Sequence, residues 1–75
     1  MEQLHKDLLL KLFGAHLKKV REEKNISLRV LEQLTDVDHS QIHRIEKGKS
    51  SPSLITLISL AKGLEIDLKK LVDFE

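Results

Sequence analysis

Residues 38–49 contain the signals of one short helix and read Asp38-His39-Ser40-Gln41-Ile42-His43-Arg44-Ile45-Glu46-Lys47-Gly48-Lys49. Asp38 is a favourable N-cap residue, and Gln41 is spaced to complete a capping box with it. Ile42 and Ile45 share one face of such a helix and can pack inward. Gly48 can adopt the left-handed conformation that ends a helix. These residues therefore predict a helix with one buried side.

The opposite side of this helix is polar and rich in hydrogen-bond donors. Its residues are His39, Ser40, Gln41, His43, Arg44 and Lys47. A polar helix face is often simply solvated, but this one could equally contact a polar partner. The helix alone does not decide between the two interpretations.

A second short helix is predicted just before this one. Ser27 can cap a helix that runs to about Thr35. Its inward-facing positions are Leu28, Leu31 and Leu34. Only residues 35–37 separate it from Asp38, and helices joined by so tight a turn must cross at a large angle. The pair predicts a helix-turn-helix over about residues 27–47.

Residues 4–24 predict a long first helix that Asn25 closes. Its apolar positions are Leu4, Leu8, Leu9, Leu12, Phe13, Leu17 and Val20. Glycine weakens a helix by about 1 kcal/mol relative to alanine, so Gly14 is expected to interrupt it. This break would separate an N-terminal helical extension, residues 1–12, from the first helix of the compact domain.

Two further helices are predicted in the C-terminal third. Ser53, or Ser51 followed by Pro52, can cap a fourth helix that stops at Gly63. Its apolar stripe is Leu54, Leu57, Ile58 and Ala61. Asp67 is expected to cap a last helical segment. Because no strand pattern appears, the sequence predicts one all-α domain of five helices over residues 1–75.

Composition and charge exclude several classes of function. The 75 residues contain no cysteine, so disulfides and thiolate metal sites are ruled out. Neither a signal peptide nor a membrane-spanning run is present, which favours the cytoplasm. The net charge is only +1, but Arg44, Lys47 and Lys49 face a single acid, Glu46, within residues 39–49. Positive charge therefore lies on this helix and along residues 6–24, and not at the C-terminus.

Neither catalysis nor metal binding is predicted. His39 and His43 have the four-residue spacing that can hold zinc, but no third ligand is evident. The sequence contains no Ser-His-Asp arrangement and no glycine-rich phosphate loop. We expect no enzymatic activity, no cofactor and no metal.

The order of these features resembles the DNA-binding domain of the lambdoid phage repressor and Cro family. In size the chain is similar to the controller proteins of restriction-modification systems. The resemblance runs from about Phe13 to Leu71. It rests on the run from Val37 to Lys49 with Pro52-Ser53 after it, and on Leu17-x-x-x-Arg21-Glu22-Glu23-Lys24. It implies a five-helix fold and a Cro-like, sequence-specific transcriptional regulator, acting as a repressor on an operator with an inverted repeat.

The resemblance also implies roles for individual residues. The recognition helix, residues 39–47, would enter the major groove. His39, Ser40, His43 and Arg44 would contact bases; Ser27, Gln41, Lys47 and Lys49 would contact phosphates. Arg21 and Glu46 would form a structural ion pair. Side-chain chemistry supports two of these roles independently, because arginine can donate two hydrogen bonds to guanine and lysine suits a phosphate.

Four residues depart from the family pattern. Glu32 stands where alanine is usual, and it is expected to turn outward or to pair with Arg29 or His43. Asp36 replaces a glycine and is expected to adopt the left-handed conformation. Leu28 replaces a polar DNA contact, and Asp38 brings a negative charge near phosphates. These departures favour the alternative function, a protein-interaction module such as an antitoxin or a regulator-binding adaptor.

A homodimer is predicted from the C-terminal segment, residues 64–75. Its apolar side chains exceed what one edge of a small core can cover, which is typical of an interface. They are Leu64, Ile66, Leu68, Leu71, Val72 and Phe74. Two subunits would read half-sites about 34 Å apart. Two alternatives remain: a stripe formed by Leu4, Leu8 and Leu12 could form the dimer, or Val72 and Phe74 could seal the monomer core. No small-molecule effector is evident.

Overall fold

A computed structural model describes the backbone of residues 3–74 and the side chains of residues 5–74. Five helices follow one another, and no strand occurs in this part of the chain. They are α1 (Gln3–Glu23), α2 (Leu28–Leu34), α3 (His39–Glu46), α4 (Leu54–Leu64) and α5 (Leu68–Leu71). The prediction of an all-α fold with five helices is confirmed. The side chain of Leu4, part of one dimer alternative, lies outside the described residues.

Three of the helices begin at the predicted N-cap residues. The side-chain oxygens of Ser27, Asp38 and Ser53 each accept a hydrogen bond from a backbone N–H of the following turn, all at 3.1 Å. These bonds satisfy donors that a helix start leaves without intrahelical partners. Asp67 also occupies the N-cap position of α5, but without a side-chain capping bond.

Left-handed residues end α1, α3 and α4. Asn25 and Gly48, the predicted ends of α1 and α3, have φ angles of 57° and 73°. The third is Glu65, with φ 57°, so the prediction that α4 stops at Gly63 is wrong. Asp36 does not adopt the expected left-handed conformation. Among the described non-glycine residues, Asn25 and Glu65 are the two with positive φ angles.

Gly14 and Gly63 both lie inside helices and allow close packing. Helix α1 runs through Gly14 without the predicted break. A Cβ at Gly14 would lie 2.4 Å from the carbonyl oxygen of Ile45 and 2.5 Å from that of Glu46. A Cβ at Gly63 would lie 2.4 Å from Cγ2 of Thr35. Glycine is therefore needed at Gly14 for α1 to approach the end of α3.

The core is mainly aliphatic, with Phe13 as its buried aromatic side chain, and draws on all five helices. Its fully buried large side chains are Leu17, Leu31, Ile42, Ile45, Leu60, Leu64 and Leu71. Two predicted inward positions are wrong, since Leu34 and Leu54 are 52% and 62% exposed. Leu57 and Ala61 lie inward as predicted, and the buried face of α4 continues through Leu60 and Leu64. The first turn of α4 therefore projects beyond the core.

The turn between α2 and α3 is held by a threonine side chain. Thr35 Oγ1 donates to the carbonyl oxygen of Leu31 at 2.8 Å and accepts from the backbone N–H of Val37 at 3.1 Å. Val37 is itself buried in the core. These bonds fix the tight turn without a left-handed residue.

The C-terminal segment is mostly part of the monomer core, so the predicted dimer interface is partly wrong. Leu64 and Leu71 are buried. Phe74 packs edge-on against Phe13, with ring centroids 5.6 Å apart. Ile66 and Leu68 also pack against the core. Only Val72 remains substantially exposed among the six predicted interface residues.

None of the helices in the described part of the chain is long and apolar enough to cross a membrane.

Candidate nucleic-acid interface

A buried ion pair fixes the C-terminal end of α3 to α1. Arg21 Nε donates to Glu46 Oε2 at 2.7 Å, and Arg21 Nη2 donates to Glu46 Oε1 at 3.1 Å. Arg21 Nη1 donates to the carbonyl oxygen of Ile26 at 2.8 Å. The side chains are only 10% and 3% exposed, respectively. The structure therefore brings together the two residues that the resemblance paired.

The hydrogen bond with Glu46 raises the pKa of Arg21 above its ordinary value, although desolvation opposes the rise. A raised arginine pKa adds stability that is fully present below the unfolded-state pKa and is lost only as pH rises through the folded-state value. That loss lies far above neutral pH. Through Arg21, the pair is thus insensitive to pH in the physiological range.

Glu32 fixes the other end of α3. Its Oε2 atom accepts the backbone N–H of His39 at 3.0 Å and lies 3.3 Å from His39 Nδ1. The prediction that Glu32 pairs with Arg29 or His43 is therefore wrong. Within the described residues Gln41 does not complete the capping box; Glu32, reaching across the turn from α2, satisfies a donor at the start of α3 instead.

Asp38 keeps negative charge at the same end of α3. The pKa of its carboxyl lies below the ordinary value, because the backbone N–H of Ser40 donates to it at 3.1 Å and His39 lies beside it. A lowered aspartate pKa adds stability that is present above the unfolded-state pKa and is lost as pH falls through the folded-state value.

Potential metal-ligand atoms of Glu32, Asp38 and His39 lie within 4.8 Å of one another, the one such group among the described residues.

The predicted contact residues lie on the surface of the molecule. Those with exposed side chains are Ser27, Ser40, Gln41, His43, Arg44, Lys47 and Lys49. His39 is half-buried against Glu32. Ile42 and Ile45 anchor the other side of α3 in the core. Helix α3 thus presents cations and hydrogen-bond donors outward from a fixed position.

A basic cleft between α1 and α3 adds a residue that sequence reasoning missed. The cleft has a volume of about 380 Å³. Its lining includes Lys18 of α1, His43 of α3 and Lys47, the C-cap residue of α3. Lys18 lies one helical turn before Arg21, so it projects from the same side of α1. Because Arg21 is expected to pair with Glu46 of α3, the three-residue spacing could have indicated that Lys18 also lies on the side of α1 that faces α3.

The tight turn and the outward-facing α3 define a helix-turn-helix domain. A sequence profile described as helix-turn-helix matches residues 17–71. The chain therefore belongs to the helix-turn-helix family of DNA-binding transcriptional regulators.

Two curated relatives illustrate this membership. The control protein C.MunI of Mycoplasma sp is 38% identical over 60 residues, which cover 79% of this chain and 81% of that protein. The HTH-type transcriptional regulator SutR of Escherichia coli (strain K12) is 33% identical over 58 residues, 77% of this chain. This chain spans only 33% of the length of SutR.

A solved structure shows the same fold. The restriction-modification controller protein C.AhdI from Aeromonas hydrophila superposes with a TM-score of 0.81 at 32% sequence identity. The alignment covers 83% of this chain and 94% of C.AhdI. The resemblance to the controller proteins that the sequence indicated is thereby confirmed.

Proposed function

We propose that this protein regulates transcription by placing α3 in the major groove of a specific duplex sequence. The observation that carries the proposal is the fixation of α3 at both ends with its polar side outward. Glu46 is bound to Arg21, and His39 is bound to Glu32. A rigidly held helix can place side chains against base edges with the accuracy that sequence reading requires.

Arg44 is the proposed centre of base recognition. Its side chain is exposed on α3, and a guanidinium can donate two parallel hydrogen bonds to guanine O6 and N7. His39, Ser40 and His43 are proposed to contact neighbouring bases. The phosphate contacts are assigned to Ser27, Gln41, Lys47 and Lys49. Lys18, across the basic cleft from Lys47, is added as a further candidate for the same backbone.

Arg44→Ala and Lys49→Ala are expected to impair DNA binding in different ways. Loss of Arg44 should relax preference at one base pair by about 1–3 kcal/mol, because a bidentate contact distinguishes bases. Loss of Lys49 should weaken all duplexes alike and reduce the salt slope by about 1. Fluorescence anisotropy with the cognate duplex, single-base variants and unrelated duplexes at several salt concentrations separates these patterns.

An unchanged rank order of duplexes in Arg44→Ala would contradict the assignment of Arg44 to a base. Ser59→Ala, a change on α4 outside the predicted contact residues, is a control and should leave both affinity and rank order unchanged. If the unmodified chain showed no salt-dependent duplex binding, the alternative protein-interaction module would gain support.

The similarity to C.MunI and C.AhdI over most of each chain supports a regulator of the controller type. We propose that it acts in the cytoplasm, where its duplex target would lie. The proposed mechanism needs only binding to DNA, with no catalytic step, cofactor or small-molecule effector. Its activity would then be controlled by its own concentration or by a partner.

We also propose that the functional unit is a two-fold symmetric homodimer. One α3 helix covers few base pairs, so two subunits on an inverted repeat would extend the site. Large apolar side chains remain exposed outside α3, among them Ile55 at 72% and Val72 at 42%. Pro52 and Val72 line the same shallow apolar groove, together with Phe74. The exposed residues Ile55 and Val72 replace Leu64 and Leu71 as candidates for the dimer contact.

Val72→Asp is expected to shift the chain to monomer while leaving it helical, because an ionised carboxylate would have to be desolvated in the contact. Sedimentation velocity at tens of micromolar measures the shift, and circular dichroism verifies the fold. Asp73→Asn, a change at the neighbouring exposed residue, serves as the control and should leave the dimer intact. A wild-type chain that stays monomeric and binds its operator without cooperativity would contradict the dimer.

A further inference from the structure

The ring of His39 is held by an acceptor on the preceding helix. His39 Nδ1 lies 3.3 Å from Glu32 Oε2 and 3.8 Å from Asp38 Oδ1. The same Glu32 oxygen accepts the backbone N–H of His39 at 3.0 Å. Both the backbone and the ring of His39 are therefore positioned by one carboxylate.

This contact determines where a neutral imidazole carries its proton. An ionised carboxylate can only accept hydrogen bonds, so Nδ1 must be the nitrogen that bears hydrogen. A neutral ring then has a bare lone pair on Nε2. In an unconstrained histidine the proton favours Nε2 instead. An ionised Glu32 therefore favours the tautomer that carries its proton on Nδ1.

The other ring nitrogen remains available to a partner. Nε2 makes no hydrogen bond within the described residues, and the side chain retains 31% of its exposure. Since Nδ1 points back toward α2, Nε2 lies on the side of the ring away from Glu32. His39 is the first residue of α3, where base contacts are commonly made.

We propose that Glu32 is a positioning residue that makes His39 present an unprotonated Nε2 to the major groove, so that His39 selects a base offering an amino group. The inference rests on the proposed function of α3. Adenine N6 and cytosine N4 are the amino donors in the major groove, whereas guanine and thymine present acceptors at the corresponding oxygen positions. A bare Nε2 can accept a hydrogen bond from adenine or cytosine. Against guanine or thymine it would place one acceptor opposite another.

The tautomer can be measured first, without DNA. Two-dimensional ¹H–¹⁵N NMR of the full chain, recorded where the spectrum shows the His39 ring to be neutral, distinguishes protonated from bare ring nitrogens. We expect a protonated Nδ1 and a bare Nε2 in the wild type. In Glu32→Ala the proton should move to Nε2. A protonated Nε2 in the wild type would overturn the inference.

Base preference is measured next. His39→Ala locates the base pair that His39 reads. On the strand that His39 contacts at that pair, the wild type should prefer adenine or cytosine over guanine or thymine by about threefold to tenfold, the range expected for one net hydrogen bond. In Glu32→Ala the preference should disappear or reverse toward guanine or thymine. Glu32→Gln keeps the side-chain size but loses the charge, and it should show a smaller preference than the wild type.

Asp36→Asn is the matched control, because it removes an exposed carboxylate from the same turn and leaves the His39 contact intact. It should keep the wild-type base preference. If Glu32→Ala fails to fold, Glu32→Gln carries the test. Specific binding with the same preference in the wild type and in the folded Glu32 variants would overturn this inference alone. Absence of any sequence-specific binding by the wild type would instead overturn the proposed function of α3.

Discussion

Glu46→Ala is expected to destabilise the folded chain by about 3–5 kcal/mol, the effect of stranding one member of a buried ion pair. Arg21 would keep its charge, because an arginine stays protonated at neutral pH, while losing both bonds to the carboxylate. Urea unfolding followed by circular dichroism measures the change. Glu23→Ala, which removes an exposed carboxylate from the same end of α1, is the control and should have little effect.

A double-mutant cycle determines whether the effect belongs to the pair. Arg21→Ala should also be strongly destabilising, because it strands the Glu46 carboxylate and the carbonyl oxygen of Ile26. The double variant should lose less stability than the sum of the single variants, since it leaves no isolated charge. Additive losses would show that the two side chains do not stabilise the fold through each other.

Gly14→Ala is expected to destabilise the chain by about 1–3 kcal/mol, the range for overpacking a well-packed site. The sign of this change in stability tests the close packing, because glycine-to-alanine changes inside helices ordinarily stabilise by about 1 kcal/mol. Here the added Cβ would meet two backbone carbonyl oxygens at the end of α3, 2.4 Å and 2.5 Å away. Backbone atoms cannot rotate aside, so α1 and α3 must separate.

The same variant should weaken DNA binding, because α1 helps to position the recognition helix. Thermal unfolding and duplex titration measure the two effects. Ala15→Gly is the neighbouring control; it should destabilise through helix propensity alone, by about 1 kcal/mol. A Gly14→Ala chain that is more stable than the wild type would contradict the close packing of α1 against α3.

The helix boundaries were largely predictable because the signals that set them are local. Ser27, Asp38 and Ser53 accept bonds from residues in the next turn, and Asn25 and Gly48 end their helices by their own backbone conformation. Such interactions depend on near neighbours in sequence. The five-helix order follows from them.

The errors concern contacts between helices. Gly14 and Gly63 look like helix breakers in sequence, but each is required by a residue on another helix or turn. Leu64 and Leu71 counted as surplus apolar residues, although the packing of α4 and α5 buries both. An apolar count gives the number of side chains to be covered and leaves open which of them face inward.

In the candidate site, too, the features set by neighbours in sequence were predictable, whereas the contacts between helices were not. The exposed cations of α3 were identified from the sequence, because their spacing opposite Ile42 and Ile45 defines the outer face. The partner of Glu32 was not identified, since the approach of α2 to the start of α3 depends on the turn at Thr35. Lys18 was missed because it reaches the cleft from α1.

Selection of bound duplexes from a random-sequence pool tests the central claim, that α3 reads a specific DNA sequence, most directly. We expect the wild-type chain to enrich one inverted repeat whose half-sites are centred about one helical turn apart. Arg44→Ala should lose the preference at one base pair of each half-site and keep the rest. A wild-type pool with no enriched motif, or an enriched motif that Arg44→Ala leaves unaltered at every position, would contradict the account.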